Sequence, residues 1–195
     1  SDIYVSSGFD TLSSKIVSDP NLRLLNVMQF MSPRFLCDGV RPDFLTYYIA
    51  KNYVLKYRPK VLYIAFDETD DFAHGGKYDF YLNSASLTDK WLADLWSTIQ
   101  QIPQYHNKTT LIITTDHGRG DANKENWKHH GEEIPDAGQI WIAAMGPDTK
   151  AMGEVKGGEI LYQEQLAATI SKLLGIDFTA QHPVATPIIA IYSNH

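Results

Sequence analysis

Two apolar runs, each leading straight into a short acidic stretch that carries a histidine, constrain this chain more than any other feature. Val61-Leu62-Tyr63-Ile64-Ala65-Phe66 gives way to Asp67-Glu68-Thr69-Asp70-Asp71-Phe72-Ala73-His74. Thr110-Leu111-Ile112-Ile113-Thr114-Thr115 gives way to Asp116-His117-Gly118-Arg119-Gly120-Asp121. A short, continuous apolar run of this kind predicts a strand buried on both faces of a sheet. Between the two runs lies the stretch 86–102, where Leu87, Trp91, Leu92, Leu95, Trp96, Ile99 and Ile102 recur at the spacing of an amphipathic helix.

The remaining segments extend the alternation. Residues 22–30 read as a strand, and 42–57 as a helix with Pro42 and Asp43 suited to its first turn. A third strand is expected over 139–145 and a helix over 163–174, stopped by Gly175. Residues 187–192 read as a last strand. Strands alternating with helices imply one α/β domain over 1–195, with a mostly parallel sheet sandwiched between helices. Ligand sites in such folds lie beyond the carboxyl ends of the strands. The polar stretches after Phe66 and Thr115 are therefore expected as loops on the same edge of one sheet.

Charge narrows the partners. Against 17 Lys and Arg stand 23 Asp and Glu, a net charge of −6, which argues against nucleic acid or an anionic membrane surface. A phosphate-bearing substrate stays compatible if bound cations reverse the local field. Cys37 is the sole cysteine, which excludes an internal disulfide and a thiolate metal cluster. No apolar run approaches the roughly 20 residues of a membrane-spanning helix, and the N-terminal residues lack a signal-peptide pattern.

The chemistry sits in three stretches. Asp70 and His74, four residues apart, can close on one divalent ion, and zinc favours mixed oxygen and nitrogen ligands. The alternative is a solvated turn with one Asp capping a following helix. Asp116 and His117 can both ligate where they leave their strand, with Gly118 and Gly120 allowing a sharp turn; otherwise Asp and Gly serve only the backbone there. His129 and His130, in Trp127-Lys128-His129-His130-Gly131-Glu132-Glu133-Ile134-Pro135, offer a further nitrogen ligand or form a surface pair. Two neighbouring divalent ions can activate a nucleophile and clamp the oxygens of a phosphoryl or sulfuryl ester. Asp67 and Glu68 either orient His74 or are solvated, and Arg119 either forks onto a substrate oxyanion or lies in solvent. Trp91, Trp96 and Trp141 are expected in the core, and His182 at the surface.

In this order and strand context, Asp70-Asp71-Phe72-Ala73-His74, Asp116-His117-Gly118 and His129-His130-Gly131 resemble the motifs of the alkaline phosphatase superfamily. That superfamily includes nucleotide pyrophosphatase/phosphodiesterases, cofactor-independent phosphoglycerate mutases and sulfatases, and residues 60–147 carry the likeness. The resemblance implies an alkaline-phosphatase-like α/β fold and two divalent ions, zinc ahead of manganese. Asp70, His74 and the later histidine would hold one ion, and Asp116 and His117 the second. The His-Gly wording favours His130 as the later ligand, while the spacing to Pro135 would suit His129.

The implied activity is metal-dependent hydrolysis of a small-molecule phosphate ester, with monoester and diester both open. A sulfatase-like sulfuric ester hydrolase ranks behind it, and a mutase behind that. In the superfamily the nucleophilic Ser or Thr and a further Asp ligand precede the segments seen here. The chain is therefore expected to be the C-terminal part of its catalytic domain, without its N-terminal half and inactive alone. Ser6 and Ser7 lack the Asp context of that nucleophile and read as loop residues. Superfamily members are often exported, which suggests periplasm or exterior. A rival of another class is a metal-binding module without catalysis.

Overall fold

In the computed structural model, which describes residues 3–10, 15, 18–32, 41–121, 123 and 125–192, the first helix is set by its cap. Helix α1 (Pro20–Met31) starts where the Asp19 carboxylate accepts from the backbone N–H groups of Asn21 and Leu22, with Pro20 at the first helical position. The strand expected over 22–30 is thus a helix, and the reason lies in which residues it buries. Leu22, Asn26 and Gln29 face inward at helical spacing, while Leu24, Val27, Phe30 and Met31 are exposed. Asn26 exchanges hydrogen bonds with the backbone of Asp10, and Gln29 Nε2 donates to the Gly8 carbonyl at 2.6 Å. Two amide side chains on one helix face thereby fasten the preceding extended segment.

Helix α2 (Asp43–Tyr57) follows the sequence expectation. It ends at Arg58, which adopts a left-handed conformation (φ 51°) before Pro59. Leu22 of α1 and Ile49 of α2 form a core against which Tyr4, Leu25 and Tyr57 pack. Residues 61–66 form no ladder among the described residues, and Tyr63 is 88% exposed. The buried strand expected there is therefore not found, because a strand requires a hydrogen-bonding neighbour and this segment shows none.

The stretch after Phe66, expected as a loop, is helix α3 (Glu68–His74). The Asp67 carbonyl accepts from Asp70 and Asp71 N–H at 2.9 and 3.2 Å. Acidic Glu68, Asp70 and Asp71 occupy its first turn, the end where the helix dipole favours negative charge. Helix α4 (Tyr78–Gln100) starts well before the expected 86–102. It meets α2 through Trp91, which stacks on Tyr47 at 5.4 Å, and through Asp94, which binds Tyr47 Oη and Lys51 Nζ.

The chain gathers into two compact units, Ser1–Thr98 and Ile99–His195. In the second, β1 (Leu111–Thr114) pairs antiparallel with β2 (Ile142–Met145), Leu111 opposite Met145 and Thr114 opposite Ile142. This is the sheet of the described residues, so the strand pair seen is antiparallel where parallel neighbours were expected. The third expected strand begins only at Ile142, and Trp141 just before it is 55% exposed rather than in the core. Helix α5 (Gln165–Leu173) ends as expected, with Gly175 at φ 66°. Buried Thr169 takes the Ile188 N–H on its Oγ1 at 2.9 Å. Residues 187–192, expected as a strand, instead contain the short helix α6 (Ile189–Tyr192), because Ile188 and Ile191 are the buried pair and Ile189 is exposed. No helix among the described residues is long and apolar enough to cross a membrane. Cys37 lies outside the described residues.

Candidate metal centre

Helix α3 places Asp70 and His74 one turn apart on the same face, as residues four apart on a helix must be. His74 Nε2 stands 3.3 Å from Asp70 Oδ2, with both side chains partly exposed. A carboxylate and an imidazole are thus already neighbours, without any rearrangement of backbone. Beside them, Asp71 has a buried Oδ2 with no hydrogen-bond partner. Burial, and then the Asp67 and Asp70 carboxylates, push the Asp71 carboxyl above its ordinary range. An acidic atom left unsatisfied next to an Asp–His pair is the kind of deficit a cation relieves.

What holds α3 in place was not visible in the sequence. Asp67, at its N-cap position, makes no side-chain cap. The two carboxylate oxygens of Asp43, in the first turn of α2, accept instead from Asp67 N at 2.8 Å and Glu68 N at 3.1 Å. In return Glu68 Oε1 accepts from Asp43 N at 3.0 Å, and Ser84 Oγ donates to Glu68 Oε2 at 3.3 Å. The open question about Glu68 thereby has an answer: it binds the start of α2 and Ser84. Asp43 is 1% exposed. Burial pushes its carboxyl up to about 6, with the two N–H donors pulling against that rise.

In the second unit, β1 delivers Asp116 and His117 as the sequence pattern implied. His117 Nδ1 lies 2.8 Å from the Gly118 carbonyl, so that nitrogen donates to it and the ring's lone pair lies on Nε2. Nε2 is 3.8 Å from Asp116 Oδ1. The His130 ring stacks on His117 with centroids 3.6 Å apart and planes 14° apart. His129 is exposed, and its carbonyl accepts from Gly120 N at 3.4 Å. Arg119 Nη1 donates to the Trp127 carbonyl at 3.2 Å, which ties the two loops together. Gly118 N donates to the Ala137 carbonyl at 2.7 Å. These bonds fold the described part of the connection between β1 and β2 back around the Asp-His-Gly turn.

Each donor set fits a divalent ion in its residue types: one carboxylate and one imidazole within each stretch, and a histidine whose other nitrogen is oriented by a carbonyl. A family model described as type I phosphodiesterase / nucleotide pyrophosphatase matches residues 17–177. The chain belongs to the type I phosphodiesterase/nucleotide pyrophosphatase family. No curated protein and no solved structure matches it. Membership agrees with the alkaline phosphatase superfamily resemblance read from the motifs, and brings an alkaline-phosphatase-like α/β fold and phosphoric ester hydrolysis as the family's general chemistry. The six candidate ligands, Asp70, His74, Asp116, His117, His129 and His130, fall inside the matched span, as do Asp43 and Glu68. Ser6 lies outside it, and its Oγ accepts from Arg41 Nη1 at 3.0 Å.

Proposed function

We propose that this chain carries the metal ligands of a phosphate ester hydrolase, with Asp70 and His74 assigned to one divalent ion, Asp116 and His117 to a second, and His130 as the further nitrogen ligand. The observation that carries this reading is the Asp70–His74 pair, 3.3 Å apart on a helix at the family motif position. Zinc suits the mixed carboxylate and imidazole donors best, with manganese next. When bound, such ions polarise the phosphoryl oxygens and lower the pKa of an attacking group. His130 is preferred over His129 because its ring lies against His117, whereas His129 is exposed.

The chain's own residues have definable tasks in this reading. Asp70 and Asp116 supply negative charge that makes cation binding favourable. The Gly118 carbonyl fixes the His117 ring so that Nε2 keeps its lone pair. Neither Ser6 nor Ser7 is the nucleophile, because both lack the Asp context of the family's nucleophile. In this reading the substrate is a small phosphate ester.

The test is zinc content after exhaustive dialysis of this chain. About one tightly held ion is expected, by ligand count, and it should be lost in the double variant Asp70→Ala, His74→Ala. Retention unchanged in that variant would sink the assignment of the pair.

A further inference from the structure

Helices α2 and α3 lack side-chain caps of their own: Pro42 cannot provide one, and Asp67 does not. Each helix start is instead completed by an acid from the other. Asp43 takes two backbone N–H groups at the start of α3, and Glu68 takes the N–H of Asp43 at the start of α2. Within one helix a residue and the one three positions on can exchange bonds this way as a capping box. Here the same exchange spans 25 residues and joins two helices. Ser84 of α4 closes the arrangement on the far oxygen of Glu68. Asp43 and Ser84 are both buried, so water cannot take over their bonds.

The helix so fixed is the one that carries Asp70 and His74. It has seven residues, too few to hold its shape by helix propensity alone, since isolated helices below about 12 residues are marginal in water. Its first turn contains Asp70, and its last residue is His74. Whatever sets the start of α3 therefore sets the relative placement of the two side chains.

We propose that Asp43 and Glu68 are positioning residues for the Asp70–His74 pair, acting through a reciprocal cap that locks the ligand-bearing helix to α2. The proposal rests on the metal reading above for its functional meaning, but its structural half does not need a metal. The two acids differ in what can replace them. Both oxygens of Asp43 accept from N–H groups, so an amide can satisfy only one, and Asp43→Asn should behave nearly as badly as Asp43→Ala. Glu68 accepts one N–H and one hydroxyl, and a hydroxyl can turn to accept. Glu68→Gln should therefore restore what Glu68→Ala loses.

Amide hydrogen exchange on the metal-free chain reads the structural half. Exchange at Glu68, Asp70 and Asp71 should quicken on the order of tenfold in Asp43→Asn and Glu68→Ala, the effect of losing a typical cap. It should stay near wild type in Glu68→Gln and in Asp19→Ala, a capping variant on α1 that serves as control for general destabilisation. Zinc affinity reads the functional half, with a loss of about tenfold or more expected in the same two variants and none in Glu68→Gln or Asp19→Ala. If wild type binds zinc through Asp70 and His74 but the clamp variants bind it like Asp19→Ala, the positioning role is overturned. If α3 exchange is unchanged in Asp43→Asn, the clamp itself is overturned, whether or not zinc binds. Loss of zinc binding by Asp70→Ala, His74→Ala tests only the metal reading and keeps the two failures apart.

Discussion

Substituting Gly118 by alanine asks why the Asp-His-Gly turn ends in glycine. A Cβ built there would stand 2.3 Å from the Gln139 carbonyl oxygen, 3.0 Å from that of Asp136 and 3.3 Å from that of Ala137. All three are backbone atoms, so the clash cannot be relieved by turning a side chain. Forcing a methyl into such a space costs about 1–3 kcal/mol. Moving the 136–139 segment aside also breaks the 2.7 Å bond from Gly118 N to the Ala137 carbonyl, worth about 1 kcal/mol. The expected loss is therefore about 2–4 kcal/mol. With a urea slope of about 2 kcal/mol/M, the midpoint should fall by about 1–2 M, followed by fluorescence of the four tryptophans. Gly138→Ala is the internal control: a Cβ there meets nothing within 4 Å, and a change within about 0.5 kcal/mol is expected. Gly131→Ala should also be mild, because its Cβ meets only the end of the flexible Glu133 side chain. A Gly118→Ala midpoint indistinguishable from that of Gly138→Ala would refute the close-packing account of the turn.

Asp19 should give the fold a pH-dependent increment. Burial tends to raise its carboxyl, but the Lys56 ammonium and the N–H groups of Leu22 and Asn21 overcome this and hold it below the ordinary value. A depressed acid stabilises the folded state above its unfolded pKa, and that contribution is lost as pH falls through the lower folded value. The gap between wild type and Asp19→Ala, about 1–2 kcal/mol for the cap, should be full at pH 7 and close below about pH 4; urea midpoints across that range check it, and a constant gap down to pH 2 would contradict it. Finally, an aryl phosphate assay with added zinc should show no turnover by this chain above background. Clear metal-dependent turnover would reveal a nucleophile among these residues.

The parts of the fold legible in the sequence were those with a local start, stop or strand signal. The stop at Gly175 is one, and the 42–57 helix was legible from Pro42 and Asp43 at its start. The β1 strand was legible as a strand, though its residues are half-buried rather than buried on both faces. Helix α1 was misread because its pattern is inverted: the buried face carries Asn26 and Gln29, and the apolar Leu24 and Phe30 point outward. Periodicity weighs polar residues as solvent-facing and cannot register amides that bond to a neighbouring backbone. The 61–66 run was read as a buried strand from composition alone, and composition does not supply a ladder partner. Asp70 and His74 were singled out as a pair within an expected loop, and they stand together because that stretch is helix α3, where residues four apart share a face. The His-Gly wording already favours His130 over His129, and the stacking of its ring on His117 is a contact that spacing does not encode. Asp43 was legible only as a good first-turn residue. Its bonds go to backbone N–H groups, which every residue owns, so no residue type marks their destination.

The exchanged caps of α2 and α3 also bear on the order in which this unit can assemble. Neither helix start is complete until the other has arrived, and closing the intervening chain costs entropy that grows only slowly with its length. The seven-residue helix gains little by forming ahead of that closure. During folding, Asp70 and His74 therefore reach their mutual placement only once α2 has formed and the 25-residue separation has closed. Metal added to a chain still lacking α2 would meet two independent side chains, and a prearranged pair only afterwards.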